Sequence, residues 1–229
     1  MAAGIKFIID FGGAKDEAPK REKGENLIAL PENYTVIDTE TTGLDPDYDE
    51  IIELAAVRVR SGTAVDEFDS LVKPKGYYFY ENGKKYFNYV DDFITELTGI
   101  TGDMLHNAPP IKDVLPGFVS FIADDIILGH NIHFDINFVY DAMEDLLNRK
   151  LSNYFVDLMR ISRKVYPEFE NHKLATIAEH LGIDAKGSHR ALADCIITFG
   201  CFSKLSSHIA ESDIDLQSLW KHSNKSTNL

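Results

Sequence analysis

The sequence predicts an α/β domain in which a mixed β-sheet is flanked by helices. Two observations lead there. β-prone runs come in series early in the chain, at Tyr34–Asp38, Ile51–Arg60 and Thr63–Val72. Short apolar runs at Ile126–Leu128 and Tyr154–Val156 then alternate with segments of helical periodicity. Strands in series, followed by strands alternating with helices, make a sheet with both antiparallel and parallel neighbours. A chain of 229 residues, 44% of them hydrophobic, can bury the core such a domain needs.

Taken in order, Met1–Phe11 reads as a short strand or tail. The charged stretch KDEAPKREKGEN at 15–26 reads as a linker, so residues 1–30 are assigned to a tail, 31–212 to the domain and 213–229 to a second tail. Ile51–Arg60 begins almost wholly apolar, as a strand buried on both faces does. With Thr63–Val72 and the Ser61-Gly62 turn it forms an antiparallel pair. Asn82-Gly83 between two aromatic runs in 76–90 signals a two-residue hairpin. Asp91–Leu97 and Pro109–Ala123 read as helices, the second from Ile111, Val114, Leu115, Phe118 and Ile122. Asp135–Asn148 is helical by Phe138, Val139, Met143 and Leu146. Three more helices follow, at Leu158–Val165, Lys173–Leu181 and Arg190–Ile209. In the final tail, Leu216, Leu219 and Trp220 could form a docking helix or pack back on the core.

The formal net charge is −14. Neutralising a polyanion over a broad surface needs many basic residues, so contact with nucleic acid must be local or assisted by metal ions. Cys195 and Cys201 lie in an apolar helical run with no Cys-x-x-Cys pair, which favours buried reduced thiols over zinc or a disulfide. Without a signal-peptide pattern or a membrane-length apolar stretch, a cytoplasmic protein with no membrane partner is expected.

Three constellations carry chemistry. Asp38 and Glu40, at i and i+2 on a strand, point to one side of the sheet and repel each other unless a cation lies between them. Divalent cations favour such oxygens. Solvated surface charge is the alternative for an isolated pair. In Gly129-His130-Asn131-Ile132-His133-Phe134-Asp135, an apolar strand gives way to a helix, and Asp135 suits helix capping as well as ligation. In His189-Arg190-Ala191-Leu192-Ala193-Asp194, the apolar neighbours of Asp194 favour a site over open water.

Together, VIDTETTGL, GHNIHFD and HRALADC resemble the three motifs of the DEDDh exonucleases, the superfamily of the proofreading epsilon subunit of bacterial DNA polymerase III. The resemblance spans about Tyr34 to Ile209 and includes LTGITGDML at 97–105. It implies a ribonuclease-H-like fold and 3′→5′ hydrolysis of DNA, or of RNA, to nucleoside 5′-monophosphates. It implies two divalent metal ions, Mg²⁺ or Mn²⁺, on Asp38, Glu40, Asp135 and Asp194, with His189 as general base. Thr41, Thr42, Gly43, Leu44, Gly99, Ile100, Thr101 and Asn131 are the expected contacts to the terminal nucleotide. The implied partners are single strands or duplex 3′ ends, and a DNA polymerase subunit is compatible. An RNA 3′-end trimming nuclease is the alternative enzyme. A silent nucleic-acid- or polymerase-binding domain is the alternative outside enzymes, although it has no need of mutually repelling acids. For Glu53 a structural role is favoured. The aromatic stretch 77–89, with Lys84 and Lys85, is longer than the family core needs. It suits base stacking, cross-strand packing or a dimer contact.

Overall fold

The computed structural model describes residues 21–212 and 214–218. Its centre is a five-stranded mixed sheet in the order β3-β2-β1-β6-β7. Strands β1 (Tyr34–Thr41), β2 (Ile51–Arg60) and β3 (Thr63–Leu71) form an antiparallel meander. β6 (Ile127–Gly129) runs parallel to β1, and β7 (Phe155–Asp157) parallel to β6. A separate antiparallel hairpin, β4 (Tyr77–Glu81) and β5 (Lys84–Asn88), turns through Asn82-Gly83 as the sequence predicts. The helices are α1 (Asp92–Thr98), α2 (Gly102–Asn107), α3 (Ile111–Ile122), α4 (His133–Leu147), α5 (Leu158–Val165), α6 (Leu174–Leu181) and α7 (Ala191–Glu211).

Strand alternation divides the core between the two faces of the sheet. Tyr34, Val36, Ala55, Val57, Leu128 and Val156 pack with residues of α5, α6 and α7. Ile37, Leu54, Ala56, Ile127 and Phe155 pack with α3 and α4. Both thiols are buried and free in the first layer, with Cys195 Sγ 3.9 Å from the Val36 carbonyl. A third cluster, Ile52, Val90, Ile94, Ile100 and Leu105, fastens α1 and α2 beside one end of β2.

The differences from the sequence reading are local. β1 continues to Thr41, through the acidic motif, because its ladder with β2 continues there. α4 starts two residues before Asp135, and Leu146, expected on the buried face, is 45% exposed. The six-residue α2 was not foreseen. It is nucleated by Thr101, whose hydroxyl accepts from Met104 N–H at 3.3 Å. Within the stretch assigned to a tail, residues 21–30 contact the domain. Arg21 makes a bidentate pair with Asp141 at 2.6 Å, and Leu27 N–H donates to the Phe155 carbonyl. At the other end Leu216 packs on the α7 layer. Met1–Phe11, Leu219 and Trp220 lie outside the described residues. No helix among the described residues is long and apolar enough to cross a membrane.

Candidate active site

Asp38 and Glu40 continue the alternation of Tyr34 and Val36, so their side chains leave β1 on the face covered by α7. Asp194 stands in the first turn of α7, where the helix dipole favours a negative charge. Oxygens of Asp38, Glu40 and Asp194 all lie within 4.8 Å of one another. Carboxylates held this close cannot all ionise cheaply. Burial, then the charges of Asp135, Asp194 and Glu40, pushes Asp38 well above the usual carboxylate range. Burial, then Asp194 and Glu53, lifts Glu40 to about 8. A convergent, hard-oxygen, mutually repelling donor set fits a divalent cation.

Asp135 reaches the site from the other layer, at the start of α4. One of its oxygens accepts from both Thr39 N–H, at 2.9 Å, and Thr39 Oγ1, at 2.8 Å. Burial raises it to about 7 against the lowering effect of those donors. It is the first neighbouring charge acting on Asp38, yet it stands outside the trio. The fold thus gathers three of the four predicted carboxylates closely and ties the fourth to the strand between them.

His189 has a left-handed backbone, φ 69°, and its N–H donates to Asp194 Oδ2 at 2.9 Å. Asp38, His130, Lys173, His189 and Asp194 line one pocket of about 390 Å³. The other histidines are differently employed. Burial, then Arg163, lowers His130 to about 4, and its buried Nδ1 has no hydrogen-bond partner. His133 sits edge-on against Phe155, and His172 Nδ1 meets Ser162 Oγ at 2.7 Å. Lys173, which the sequence reading did not single out, places a cation in the pocket wall.

Arg190 and Glu53 complete the support. Glu53 faces Glu40 across the β1–β2 ladder and is fully buried. The Arg190 guanidinium donates to both its oxygens, at 2.5 to 3.2 Å, and Ala191 N–H donates to Oε2 at 2.8 Å. This pair ties β2 to the start of α7, between His189 and Asp194. The structural reading of Glu53 therefore has a specific content. Only its partner was missed, because nothing local links residues 137 apart.

A bulge lies at the same place. Glu40 pairs with Glu53 and Thr41 with Ile51, so β2 carries one extra residue, Ile52, opposite the acidic motif. Ile52 enters the third cluster, which holds the 99–101 loop near the site. Gly99 is the left-handed cap of α1 and Thr101 the N-cap of α2, while Ile100 is fully buried and can offer a ligand only its backbone. In the loop after β1, Thr41 Oγ1 donates to the Gly43 carbonyl, and Thr42 Oγ1 to Asp49 at 3.0 Å. The Asp49 carboxylate packs directly over Gly43, where a Cβ would fall 2.4 Å from Oδ2 and displace that side chain. Leu44 projects from it, 84% exposed. Asn131 is exposed, at φ 57°, with its N–H on Asp157 Oδ1.

Comparison with known proteins gives a consistent picture. Residues 35–202 match the exonuclease family RNase_T. The chain is 36% identical over 214 residues to the PolC-type DNA polymerase III of Bacillus subtilis, covering 92% of this chain and 14% of that protein. It is 38% identical over 188 residues to the DNA polymerase III epsilon subunit of Aquifex aeolicus, 82% of this chain and 87% of that one. Among solved structures it resembles Escherichia coli exonuclease I in complex with a dT13 oligonucleotide. That match has a TM-score of 0.64 and 19% identity, covering 80% of this chain and 42% of the other, and it shows the shared fold.

Proposed function

Since the chain belongs to the exonuclease family, within the DnaQ-like DEDDh superfamily, we propose that it removes nucleotides from the 3′ end of DNA by two-metal hydrolysis. The convergence of Asp38, Glu40 and Asp194 within 4.8 Å carries this reading. These three, with Asp135 beside them, would hold Mg²⁺ or Mn²⁺. When bound, the ions supply positive charge to the scissile phosphate and to the attacking and leaving oxygens.

The chain's own residues perform the rest. His189 takes the proton of the attacking water on its imidazole, and the bond from its N–H to Asp194 sets its place relative to the carboxylates. A new P–O bond forms to that water as the P–O3′ bond breaks in line. A nucleoside 5′-monophosphate leaves, and the shortened strand keeps a 3′-hydroxyl. Lys173, in the wall of the same pocket, supplies a cation for a phosphate oxygen. Thr41, Thr42, Gly43, Gly99, Ile100 through its backbone, Thr101 and Asn131 cradle the terminal nucleotide, and exposed Leu44 packs on its base.

The test is a labelled single strand with Mg²⁺ or Mn²⁺, with and without EDTA. A free 3′ end should be trimmed stepwise, while a 3′-phosphate or a closed circle should resist. Efficient cutting of circles would refute exonucleolysis, and full activity in EDTA would refute the metals. The likeness to polymerase III proteins supports a proofreading role. It requires faster removal of a mispaired than of a paired 3′ nucleotide, and equal rates would refute it.

A further inference from the structure

The β4–β5 hairpin plays no part in that chemistry, and both its faces are exposed. Pairing Tyr78 with Phe87 and Tyr80 with Lys85 puts these four on one face. Tyr78 is 64% and Tyr80 72% exposed. Rings continue from this face toward the body of the domain. Tyr78 meets Phe87 at 5.1 Å, Phe87 meets Tyr89 at 4.9 Å and Tyr89 meets His106 of α2 at 5.9 Å. Lys85 covers the Tyr78 ring at 3.8 Å, and Lys73 lies 5.9 Å from that of Tyr89. Where the ladder reaches α2, Phe87, Asn88, Tyr89, Thr101, Asp103 and His106 line a pocket of about 380 Å³. Thr101 belongs equally to the loop assigned to the terminal nucleotide.

We propose that this hairpin is a stacking arm for single-stranded nucleic acid, with the pocket against α2 taking an unpaired base next to the 3′-terminal one. Charge selects that occupant. Residues 73–90 carry four lysines against one glutamate, in a chain of net charge −14. A basic, ring-lined track is the recurrent solution for holding unpaired strands, since every base offers a face to stack. Packing alone does not explain the ladder, because the rings farthest from the domain are the most exposed.

The inference rests on the nuclease reading, so two measurements separate their failures. Binding of a fluorescein-labelled oligothymidylate of about 16 nucleotides, long enough to fill a single-strand footprint, against a dinucleotide that ends at the pocket, is read by anisotropy in Ca²⁺. Hydrolysis of the p-nitrophenyl ester of thymidine 5′-monophosphate with Mn²⁺ reads the metal site alone. Tyr78→Leu keeps an apolar side chain but removes the ring, and the double variant Lys84→Glu/Lys85→Glu keeps the rings but reverses the charge. Each should weaken the long strand roughly tenfold or more, with the short strand and the ester changed less than about twofold. Long-strand affinity within about twofold of the parent in both variants overturns the arm. So does a self-associating parent that the variants render monomeric. An inactive ester assay beside intact strand binding condemns the nuclease reading and leaves the arm standing.

Discussion

Replacing Glu40 by glutamine should stabilise the metal-free protein. Glu40 is held at about 8 rather than its usual 4.5, by burial and by Asp194, Glu53 and Asp135. A carboxyl raised in the folded state costs nothing below the unfolded value. The cost grows as pH climbs above 4.5 and levels off above about 8. Near pH 7 it amounts to roughly 3.4 kcal/mol for an isolated group. Neighbouring carboxyls share the protons, so about half of that, ~2 kcal/mol, is the expected gain. In a domain of this size that is an increase of about 4–8 °C in Tm. Differential scanning fluorimetry in EDTA across pH 4 to 9, for parent and Glu40→Gln, reads it directly. The gap should close near pH 4.5 and open toward pH 8. Mg²⁺ should reverse the order, since a ligand at about 100 times its Kd adds ~2.7 kcal/mol to the form that binds it. A variant that melts below the parent in EDTA at pH 8 would refute the mutual repulsion, and one that gains as much from Mg²⁺ would refute ligation by Glu40.

His189→Ala should lower turnover by roughly 10²–10⁴-fold, with little change in KM. Should His130→Ala do this instead, the base is misassigned, although an imidazole at about 4 is too weak a base for the role. Asp194→Ala should remove nearly all hydrolysis without unfolding the chain, and circular dichroism beside saturating-Mg²⁺ turnover checks both halves. Asp135→Asn should also disable hydrolysis; near-parental turnover would reduce that residue to an anchor for Thr39. Arg190→Leu leaves buried Glu53 with the Ala191 N–H but without its guanidinium, so a loss of about 1–3 kcal/mol in urea unfolding is expected.

Much of the acidic cluster was legible because its geometry is local. Asp38 and Glu40 share a strand face by period alone, and the apolar surroundings of Asp194 already spoke for a site. Residues 21–30 were misleading because Arg21 and Lys23 look solvated until Asp141 and Asn137 are brought across from α4. The same blindness hid the Arg190–Glu53 tie. Asp135 shows a subtler limit. Its place near the acidic motif could be read, whereas its hydrogen bonds to Thr39 depend on how α4 meets β1. Short α2 escaped because six residues cannot display a helical period.

The base of the β4–β5 hairpin has an evolutionary consequence. Gly76, at φ 73°, is pressed so closely against the returning strand that a Cβ would lie 2.5 Å from the Phe87 ring and 2.7 Å from the Asn88 carbonyl. The chain thus departs and returns at nearly one point. A segment whose ends already touch can be lengthened, shortened or exchanged with little strain on what lies outside it, and longer loops cost little extra closure entropy. Lineages could accordingly remodel this arm, and the strands it retains, without disturbing the register that aligns Asp38 and Glu40.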